Sequence, residues 1–418
     1  MSGPEVVTFG CRVNAYESEV IRTRALEAGL SDAVIFNTCA VTAEAVRQSR
    51  QAIRSRRRAN ATARIIVTGC AAQIEPETYA AMPEVDLVLG NREKLEAASY
   101  RDFGVAAAER VRVNDIHSVR QTAAQFVDGF EGRTRAFLQI QNGCDHRCTF
   151  CIIPFGRGPS RSVPMGAVIA EARRLARHGY KEIVLTGVDL TAYGADLPGL
   201  PSLGILVRKI LRLVPEIARL RLSSLDSVEA DRELLRAIAE EERLMPHFHL
   251  SAQAGDDLIL KRMKRRHSRQ DTIEFCNEVK RLRPEAAFGA DLIAGFPTET
   301  EAMFANTLAL VDEAGLTFLH VFPFSARQAT PASRMPQVSR AIVKERAARL
   351  RAKGSQRLRA RFDDLVGSRQ ILHVEERGRG RTPCYAPVRF DGPAGPGDLL
   401  PVRITGAGHD QLTAVPFS

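Results

Sequence analysis

Short apolar runs alternate with helix-length stretches along most of this chain, and this alternation constrains the fold more than any other feature. In the first series the apolar runs lie at residues 6–9, 33–36, 64–68 and 85–89. Such alternation is typical of βαβ units, whose strands form a parallel sheet. We therefore predict an α/β protein in which residues 1–125 form a doubly wound parallel-sheet domain. Residues 100–130 are expected to be a linker or an edge segment.

A second series of the same kind begins near residue 136. Its apolar runs lie at residues 136–139, 182–185, 219–222, 247–250, 288–293 and 318–322. Six βα units suit a partial TIM-like (β/α)6 barrel better than the closed eight-stranded form, and we assign this barrel to residues 130–356. After a basic helical stretch at 340–362, short β runs alternate with Gly- and Pro-rich turns. This pattern predicts a small OB-like β-barrel over residues 357–418.

Three cysteines follow the first strand of the predicted barrel within eight residues: Cys144, Cys148 and Cys151. Zinc sites usually combine two Cys-x2-Cys pairs into four ligands, and the sequence has no second pair. Three thiolates leave one metal position without a protein ligand, as a four-iron four-sulfur cluster requires if its fourth iron binds a small molecule. The spacing favours such a cluster. A three-ligand zinc site and unrelated cysteines are the alternatives.

Three further cysteines, Cys11, Cys39 and Cys70, each fall two or three residues beyond the end of a predicted N-terminal strand. The carboxyl ends of parallel strands lie along one edge of a sheet, where ligands bind. The three thiolates could converge there, and the alternative is three buried apolar cysteines. Cys276 and Cys384 have no partner at ligand spacing, and we interpret both as structural.

Small and polar residues also fall at the C-terminal ends of the predicted barrel strands, the face on which barrel enzymes build their sites. They are Thr186, Gly187, Asp189, Ser223, Ser224 and Gln253. We interpret them as candidates for binding a cofactor, although the same residue types are common in turns and helix caps.

The chain carries a formal net charge of +10, and cations cluster in three blocks at residues 47–64, 261–269 and 340–361. Clustered cations favour a polyanionic partner such as nucleic acid, whereas the alternative is a set of solvated helix faces. No apolar run approaches the roughly 18 residues that cross a membrane. We therefore expect no membrane association and a cytoplasmic location.

Several segments resemble one known family. The spacing Cys144-x3-Cys148-x2-Cys151 in its βα context resembles that of the radical-SAM superfamily. Resemblance to the methylthiotransferases of that superfamily is carried by residues 8–18 (TFGCRVNAYES), 37–42 (NTCAVT), 68–73 (TGCAAQ), 148–161 (CTFCIIPFGRGPSR), 249–253 (HLSAQ) and 289–297 (GADLIAGFP). The resemblance covers essentially the whole chain and includes a C-terminal barrel similar to the TRAM RNA-binding domain.

This resemblance implies two four-iron four-sulfur clusters and two molecules of S-adenosylmethionine (SAM) per turnover. One cluster would be held by Cys144, Cys148 and Cys151, and the auxiliary one by Cys11, Cys39 and Cys70. Phe150 occupies the position that lies near the SAM adenine in the superfamily. Residues 186–189 look like the family's Gly-Gly-Glu segment, from which Val188 and Asp189 depart. The resemblance also implies an external electron donor and no catalytic side chain beyond the clusters.

Three branches of this family compete. Two modify the adenosine 3′ of the anticodon in tRNA, which carries either a threonylcarbamoyl or an isopentenyl group, and the third modifies an aspartate of a ribosomal protein. Residues 8–18, 37–42 and 151–161 most resemble the threonylcarbamoyladenosine branch, which implies methylthiolation at C2 of that base in the anticodon loop. The candidate substrate-binding residues are Arg157, Arg161, Arg327, Arg377, Arg379 and Arg381. A non-enzymatic RNA-binding protein with a structural metal is the alternative from another class.

Overall fold

A parallel sheet of five strands forms the N-terminal part of the protein. The structure is a computed structural model that describes residues 3–101, 109–120, 129–130 and 132–417. The elements of this part are β1 (Glu5–Thr8), α1 (Arg12–Glu27), β2 (Ala33–Thr38), α2 (Ala43–Ala59), β3 (Arg64–Gly69), α3 (Cys70–Ile74), α4 (Pro76–Ala80), β4 (Leu87–Leu89), α5 (Ala98–Arg101) and β5 (Val111–Arg112). The strands follow chain order in the sheet, and every neighbouring pair is parallel. The predicted parallel sheet is confirmed.

Helices cover both faces of this sheet. Ile21 of α1 packs with Ile35 on one face, and Ile53 of α2 packs with Phe36 on the other. Ile35 and Phe36 are neighbours in β2, and successive side chains of a strand point to opposite faces. Strands buried on both faces read as continuous apolar runs, which explains why the sequence indicated them. β5 lies at the edge of the sheet; the segments 102–108 and 121–128 of the predicted linker lie outside the described residues.

Six parallel strands form an open barrel in the centre of the chain. Its elements are β6 (Arg135–Gln139), β7 (Gln141–Asn142), α6 (Ile153–Arg157), β8 (Arg161–Ser162), α7 (Met165–Arg177), β9 (Glu182–Thr186), α8 (Leu203–Leu213), β10 (Arg219–Leu222), α9 (Arg232–Glu240), β11 (His247–Gln253), α10 (Asp257–Arg262), α11 (Arg269–Leu282), β12 (Ala287–Ala294), α12 (Glu301–Glu313) and β13 (Leu316–Pro323). The sheets β6-β9-β10 and β11-β12-β13 are joined by isolated parallel bridges, Leu220 to Leu244 and Leu225 to Leu250. The predicted partial barrel is confirmed.

A long helix leads from this barrel into a closed five-stranded barrel at the C-terminus. The elements are α13 (Arg340–Leu365), β14 (Arg369–Glu376), β15 (Arg379–Arg381), β16 (Pro387–Phe390), β17 (Leu399–Ala407) and β18 (Leu412–Pro416). Leu350 of α13 belongs to the core of the central barrel, whereas Phe362 belongs to the core of the C-terminal one. The predicted domain boundary between 356 and 357 falls inside this helix, and the domain limits stay predictions.

The C-terminal barrel docks against the amino-terminal ends of the central strands. Arg135 of β6 binds Glu375 and donates to the Tyr385 hydroxyl at 3.0 Å, and Arg221 of β10 donates to the carbonyl oxygen of Pro383 at 2.9 Å. The opposite ends of the strands, which carry the cysteine motif, are left free for a site.

None of the helices in the described part of the chain combines the length and apolar character that crossing a bilayer requires.

Candidate functional site

The loop after β7 brings Cys144, Cys148 and Cys151, here called the central trio, to one cavity. Gly143 begins this loop with a φ of +74°, and a Cβ atom there would lie 1.8 Å from the carbonyl oxygen of Pro159. Only glycine permits this close approach of two backbone segments. All three cysteines line a cavity of about 150 Å³ at the C-terminal ends of the barrel strands.

Burial is the main electrostatic influence on two cysteines of the central trio, Cys144 and Cys151. It raises the pKa of Cys151 to about 12 and also raises the pKa of Cys144, where the Asp189 carboxylate adds to the effect. Arg265 acts in the opposite sense on the pKa of Cys151, and its Nη1 lies 3.6 Å from the Sγ of Cys148. Buried thiolates need positive charge nearby to stay ionised. The trio therefore fits a bound metal centre that supplies such charge.

Four of the predicted cofactor-binding residues line the same cavity: Phe150, Asp189, Ser224 and Gln253. Phe150 packs edge-to-face on Phe296 with ring centroids 6.4 Å apart. The Oδ2 atom of Asp189 lies 3.6 Å from a thiol of the central trio. Gln253 has a φ of +66°, a conformation that non-glycine residues rarely adopt outside functional sites and turns.

The other three predicted residues, Thr186, Gly187 and Ser223, lie at the ends of β9 and β10 but do not line the cavity. The Oγ1 of Thr186 and the Oγ of Ser223 are buried and have no hydrogen-bond partner among the described residues. Buried polar atoms normally find a partner. Two orphaned hydroxyls behind the cavity wall fit a site for a polar small molecule, and the individual roles stay predictions.

Gln141 is a buried residue of this site that sequence reasoning missed. Its Oε1 accepts hydrogen bonds from the backbone N–H groups of Val188 and Asp189, each at 2.9 Å. Its Nε2 donates to the carbonyl oxygen of Gly143 at 2.8 Å. One side chain therefore ties the cysteine loop to the loop after β9. The only indication in the sequence was its position three residues before Cys144.

Arg265 belongs to the basic block at residues 261–269, which the sequence suggested as a surface for a polyanionic partner, but it faces inward. Its Nη2 donates to Asp226 Oδ2 at 2.5 Å and to the carbonyl oxygen of Ser251 at 3.0 Å. Arg265 therefore supports the cavity wall beside Cys148, and its interpretation as a surface cation is corrected.

The N-terminal trio, defined as Cys11, Cys39 and Cys70, lies at the carboxyl edge of the parallel sheet. Cys39 and Cys70 directly follow β2 and β3. Burial raises the pKa of Cys39 to about 11, and the thiols of Cys70 and Cys11 add to this increase. A Cβ atom on Gly10 would lie 2.8 Å from Cys39 Sγ, and one on Gly69 would lie 2.3 Å from the backbone of the residue before Cys39. The two glycines thus allow the three loops to close on one another.

Neither trio has the close spacing of a single-metal site. Among the described residues, three His, Cys, Asp or Glu ligand atoms lie within 4.8 Å of one another in only two groups, Cys144–His146–Asp189 and His249–Asp291–His320. A zinc ion bound at about 2.3 Å would bring its thiolates within about 4.6 Å of each other. Wider spacing of the thiols fits an iron–sulfur cluster, in which each cysteine binds a different iron.

The short helix α6 connects the two trios. It begins two residues after Cys151, and at its other end a Cβ atom on Gly156 would lie 3.2 Å from the Cβ of Cys70. Asn91 strengthens this contact, because its Nδ2 donates to the carbonyl oxygen of Gly156 at 2.5 Å and lies 3.8 Å from Cys70 Sγ. A helix of five residues is about 7.5 Å long, so the trios lie at either end of one short element.

Arg157 and Arg161, predicted to bind substrate, are held inside the protein. Arg157 is 1% exposed and donates to Glu17 and Asn142. Arg161 is 4% exposed and donates to backbone carbonyls, including that of Pro159 at 2.8 Å. Internal partners engage both guanidinium groups, which favours a structural role, and substrate binding by either arginine stays a prediction.

Arg327 follows β13 and is half-buried. Its Nε atom has no hydrogen-bond partner among the described residues. It therefore stays a candidate for binding substrate or cofactor.

Many cations of the three basic blocks have carboxylate partners. The pairs include Arg47–Glu44, Arg50–Glu75, Arg56–Glu5, Arg57–Asp86, Arg266–Glu229, Arg269–Glu313, Arg346–Glu299, Arg349–Glu301, Lys353–Asp312 and Arg359–Asp363. Lys261 and Lys264 are exposed and have no carboxylate partner in the described part of the chain. Their side chains are therefore better placed than most to bind a phosphate backbone.

The three predicted arginines of the C-terminal barrel differ in how firmly they are held. Arg379 pairs with Glu376 at 3.0 Å, and Arg381 pairs with Glu375 at 3.1 Å. Arg377 lies exposed in the turn between β14 and β15, without an ion-pair partner among the residues that the structure describes. An RNA-binding role for all three stays a prediction.

Comparison with known families matches two parts of the chain. Residues 138–311 match the radical SAM superfamily, and residues 5–90 match the Uncharacterized protein family UPF0004. These ranges contain the central and the N-terminal trio, respectively. Among solved structures, the radical S-adenosylmethionine methyltransferase TsrM of Kitasatospora setae aligns with a TM-score of 0.56 and 16% identity over 80% of this chain and 77% of that one. This likeness concerns the fold alone.

Three relatives match this chain over nearly the full length of both sequences. Threonylcarbamoyladenosine tRNA methylthiotransferase MtaB of Rickettsia prowazekii is 52% identical over 98% of this chain and 97% of its own length. The protein of the same name from Bacillus subtilis is 34% identical over 96% and 93%. The tRNA-2-methylthio-N(6)-dimethylallyladenosine synthase of Erythrobacter litoralis is also 34% identical, over 97% and 95%.

Proposed function

The chain belongs to the radical-SAM methylthiotransferase family, in the branch of the threonylcarbamoyladenosine tRNA enzymes, and on that premise we propose that each of its two cysteine trios holds a four-iron four-sulfur cluster. Its activity is the methylthiolation of C2 of threonylcarbamoyladenosine 3′ of the anticodon in tRNA. Iron–sulfur and SAM chemistry follow from the family. The count of two clusters is our proposal.

The placement of α6 carries this proposal. The helix starts beside Cys151 and ends against Cys70, so groups bound at the two trios would be neighbours. A reaction that removes hydrogen from a base and adds a methylthio group to the same carbon needs two reactive centres within reach of one substrate. A single structural metal, the alternative from another class, gives no reason for two cysteine trios at the ends of one helix.

The side chains around the central trio bind and orient the cluster and SAM and take no part in bond breaking themselves. Bound there, the cluster and SAM supply the one-electron chemistry that removes hydrogen from an adenine C2–H bond, which no side chain of the chain can do. We assign Phe150 to packing against the SAM adenine, and the polar ends of β9, β10 and β11 to its hydrogen bonds. Gln141 holds the cysteine loop in register with the loop that carries Asp189, and Arg265 stabilises the Cys148 thiolate.

The remaining partners are proposed from the chemistry of the reaction. Reductive cleavage of SAM requires an external one-electron donor, and two SAM molecules are consumed in each turnover. Lys261, Lys264 and the C-terminal barrel with Arg377 are assigned to the tRNA backbone, and Arg327 to a carboxylate of substrate or SAM. A tRNA substrate supports a cytoplasmic location.

Iron and sulfide analysis of anaerobically reconstituted protein tests the two-cluster proposal. We expect about eight irons per wild-type chain and about four in Cys144→Ala or Cys39→Ala. Cys276→Ala is the matched control, because Cys276 is buried in α11 away from both trios, and it should keep about eight. Fewer than about six irons in the wild-type protein would contradict the proposal.

Nucleoside mass analysis of tRNA from a deletion strain tests the substrate separately. We expect the 2-methylthio form of threonylcarbamoyladenosine to disappear while the parent nucleoside remains. Complementation with wild type should restore it, and complementation with Cys144→Ala should not. A nucleoside profile that does not change on deletion would count against the substrate assignment.

A further inference from the structure

Arg12 is a cation of the N-terminal part that reaches into the central barrel. It is the first residue of α1 and directly follows Cys11. Its Nη1 donates to the carbonyl oxygen of Ser223, just after β10, at 3.2 Å. The guanidinium is half-buried and has no carboxylate partner among the described residues. Arg12 therefore spans the space between the N-terminal trio and the strand ends around the central trio.

A cluster of titratable side chains lies on three neighbouring strands of the same barrel. His249 Nε2 lies 2.9 Å from Asp291 Oδ1, and His320 Nδ1 lies 3.3 Å from the same oxygen. The two imidazole rings are 4.6 Å apart. A Cβ atom on Gly289 would lie 2.3 Å from His249 Nδ1, so glycine in β12 makes room for the imidazole. One carboxylate thus holds two rings in place, and His320 remains largely exposed.

Arg12 and this cluster both act on one buried side chain, His247. Burial lowers the pKa of His247, and Arg221, His249, Arg12 and His320 lower it further. All four groups must therefore lie within electrostatic range of one buried ring at the base of β11. These side chains come from the N-terminal part and from three barrel strands, and the ring they act on stacks against Tyr385 with centroids 4.9 Å apart.

The charge around these side chains decides which kind of ligand they favour. His249, His320 and Asp291 are of the types that commonly bind metal ions, so a metal is the alternative to an anion. Burial raises the pKa of nearby Tyr385, but Arg135, Arg381, Arg12 and Arg221 outweigh it, so the pKa is lowered. Of these four arginines, Arg135, Arg221 and Arg381 pair with Glu182 or Glu375. Arg12 is the one without a carboxylate partner among the described residues, and an uncompensated guanidinium attracts an anion and repels a divalent cation.

The substrate brings one such anion. A threonylcarbamoyl group ends in a free carboxylate, whereas an isopentenyl group is apolar and uncharged. The planar fork of a guanidinium matches a carboxylate in a way that few other groups do. Arg12 also directly follows Cys11, and the proposed function places the adenine between the two trios.

We propose that Arg12 binds the carboxylate of the threonylcarbamoyl group and so selects this nucleoside, with His320, positioned by Asp291, as the second contact. This inference rests on the proposed function, because it places the adenine between the two trios. It assigns this carboxylate to Arg12, which has no carboxylate partner among the described residues, in place of Arg157 and Arg161, which are buried and engaged. Arg327 is then left to the carboxylate of SAM.

Binding of anticodon stem-loops tests the proposal on the reconstituted full chain. Three RNAs differ only at the target base: threonylcarbamoyladenosine, its carboxylate methyl ester, and unmodified adenosine. We expect wild-type protein to bind the acid at least about tenfold more tightly than the ester, since a charge-assisted hydrogen bond is lost. Arg12→Gln should bind all three RNAs alike, at the affinity that wild type shows for the ester, and Arg12→Lys should keep part of the preference.

Arg24→Gln is the matched control, because Arg24 lies in the last turn of the same helix and pairs with Glu27 on the surface. It should keep the full preference. The proposal is overturned if wild type binds acid and ester equally, or if Arg12→Gln keeps the preference. The comparison of acid and ester on the wild-type protein needs no variant. It can therefore overturn the proposal even if Arg12→Gln fails to fold. Iron content and the deletion-strain profile test the proposed function independently of either result.

Discussion

Arg157 donates to both carboxylate oxygens of Glu17, at 2.8 Å through Nη1 and 2.9 Å through Nη2, and 1% of either side chain is exposed. The pair joins α6 of the central barrel to α1 of the N-terminal sheet. Lys94 binds the same carboxylate at 2.7 Å. Three buried charges thus hold together the two parts of the protein that carry the cysteine trios.

Removing Arg157 should destabilise the protein strongly. Arg157→Ala leaves a buried carboxylate with one partner fewer, and breaking a buried pair typically costs about 3–5 kcal/mol. Arg47→Ala is the control, because Arg47 and Glu44 form an exposed pair of a kind worth about 0–1 kcal/mol. Chemical denaturation of the full chain measures both. Equal losses in the two variants would show that the buried pair contributes no more to the free energy of unfolding than the exposed pair does.

The same carboxylate should make stability depend on pH in the acid range. Burial raises the pKa of Glu17, but Arg157 and Lys94 outweigh it and lower the pKa to about 2 from 4.5. Because the folded pKa lies below the unfolded one, this stabilisation is complete above about pH 4.5 and is lost as the pH falls towards about 2. A shift of this size corresponds to on the order of 3 kcal/mol.

Urea midpoints between about pH 5 and about pH 3 measure this effect. Glu17→Gln should be less stable at neutral pH but should lose less stability on acidification than wild type. Identical slopes for the two proteins would rule out Glu17 as a source of the acid sensitivity.

Gly69 should be essential for the N-terminal trio. It has a φ of +94°, and a Cβ atom would lie 2.3 Å from Thr38 O. Gly69→Ala should therefore displace the loops of Cys39 and Cys70 and reduce the iron content by about half. Gly29→Ala is the matched control, since Gly29 also has a positive φ, of +72°, but no atom within 4 Å; it should cost about 1 kcal/mol and leave the iron content unchanged.

Lys261 and Lys264 should contribute to tRNA affinity in a salt-dependent manner. Replacing both with alanine removes two exposed cations and should reduce the slope of log K against log salt by about 1 to 2. Arg349→Ala is the control, because Arg349 already pairs with Glu301 and Glu345 and should change the slope little. Filter binding at several salt concentrations distinguishes the variants, and an unchanged slope in the double variant would exclude these lysines from the interface.

The order of elements and both cysteine trios could be predicted from the sequence. Apolar runs such as residues 33–36 mark strands buried on both faces, because side-chain periodicity reports burial. Parallel strands place their carboxyl ends at one edge, so Cys11, Cys39 and Cys70 were expected to be neighbours although about thirty residues separate each from the next. The full-length relatives confirm the family that these motifs indicated.

The roles of individual charged and polar residues were decided only by the tertiary structure. Arg157 was expected at the substrate, but Glu17, 140 positions away, binds it in the interior. Neither Arg12 nor Gln141 was assigned a role from the sequence, yet one spans the two parts of the site and the other ties its loops together. The spacing of charged and amide residues along the sequence does not indicate which of their side chains are buried. Its role depends on which partners distant segments bring within about 3 Å, and that is fixed only when the chain is folded.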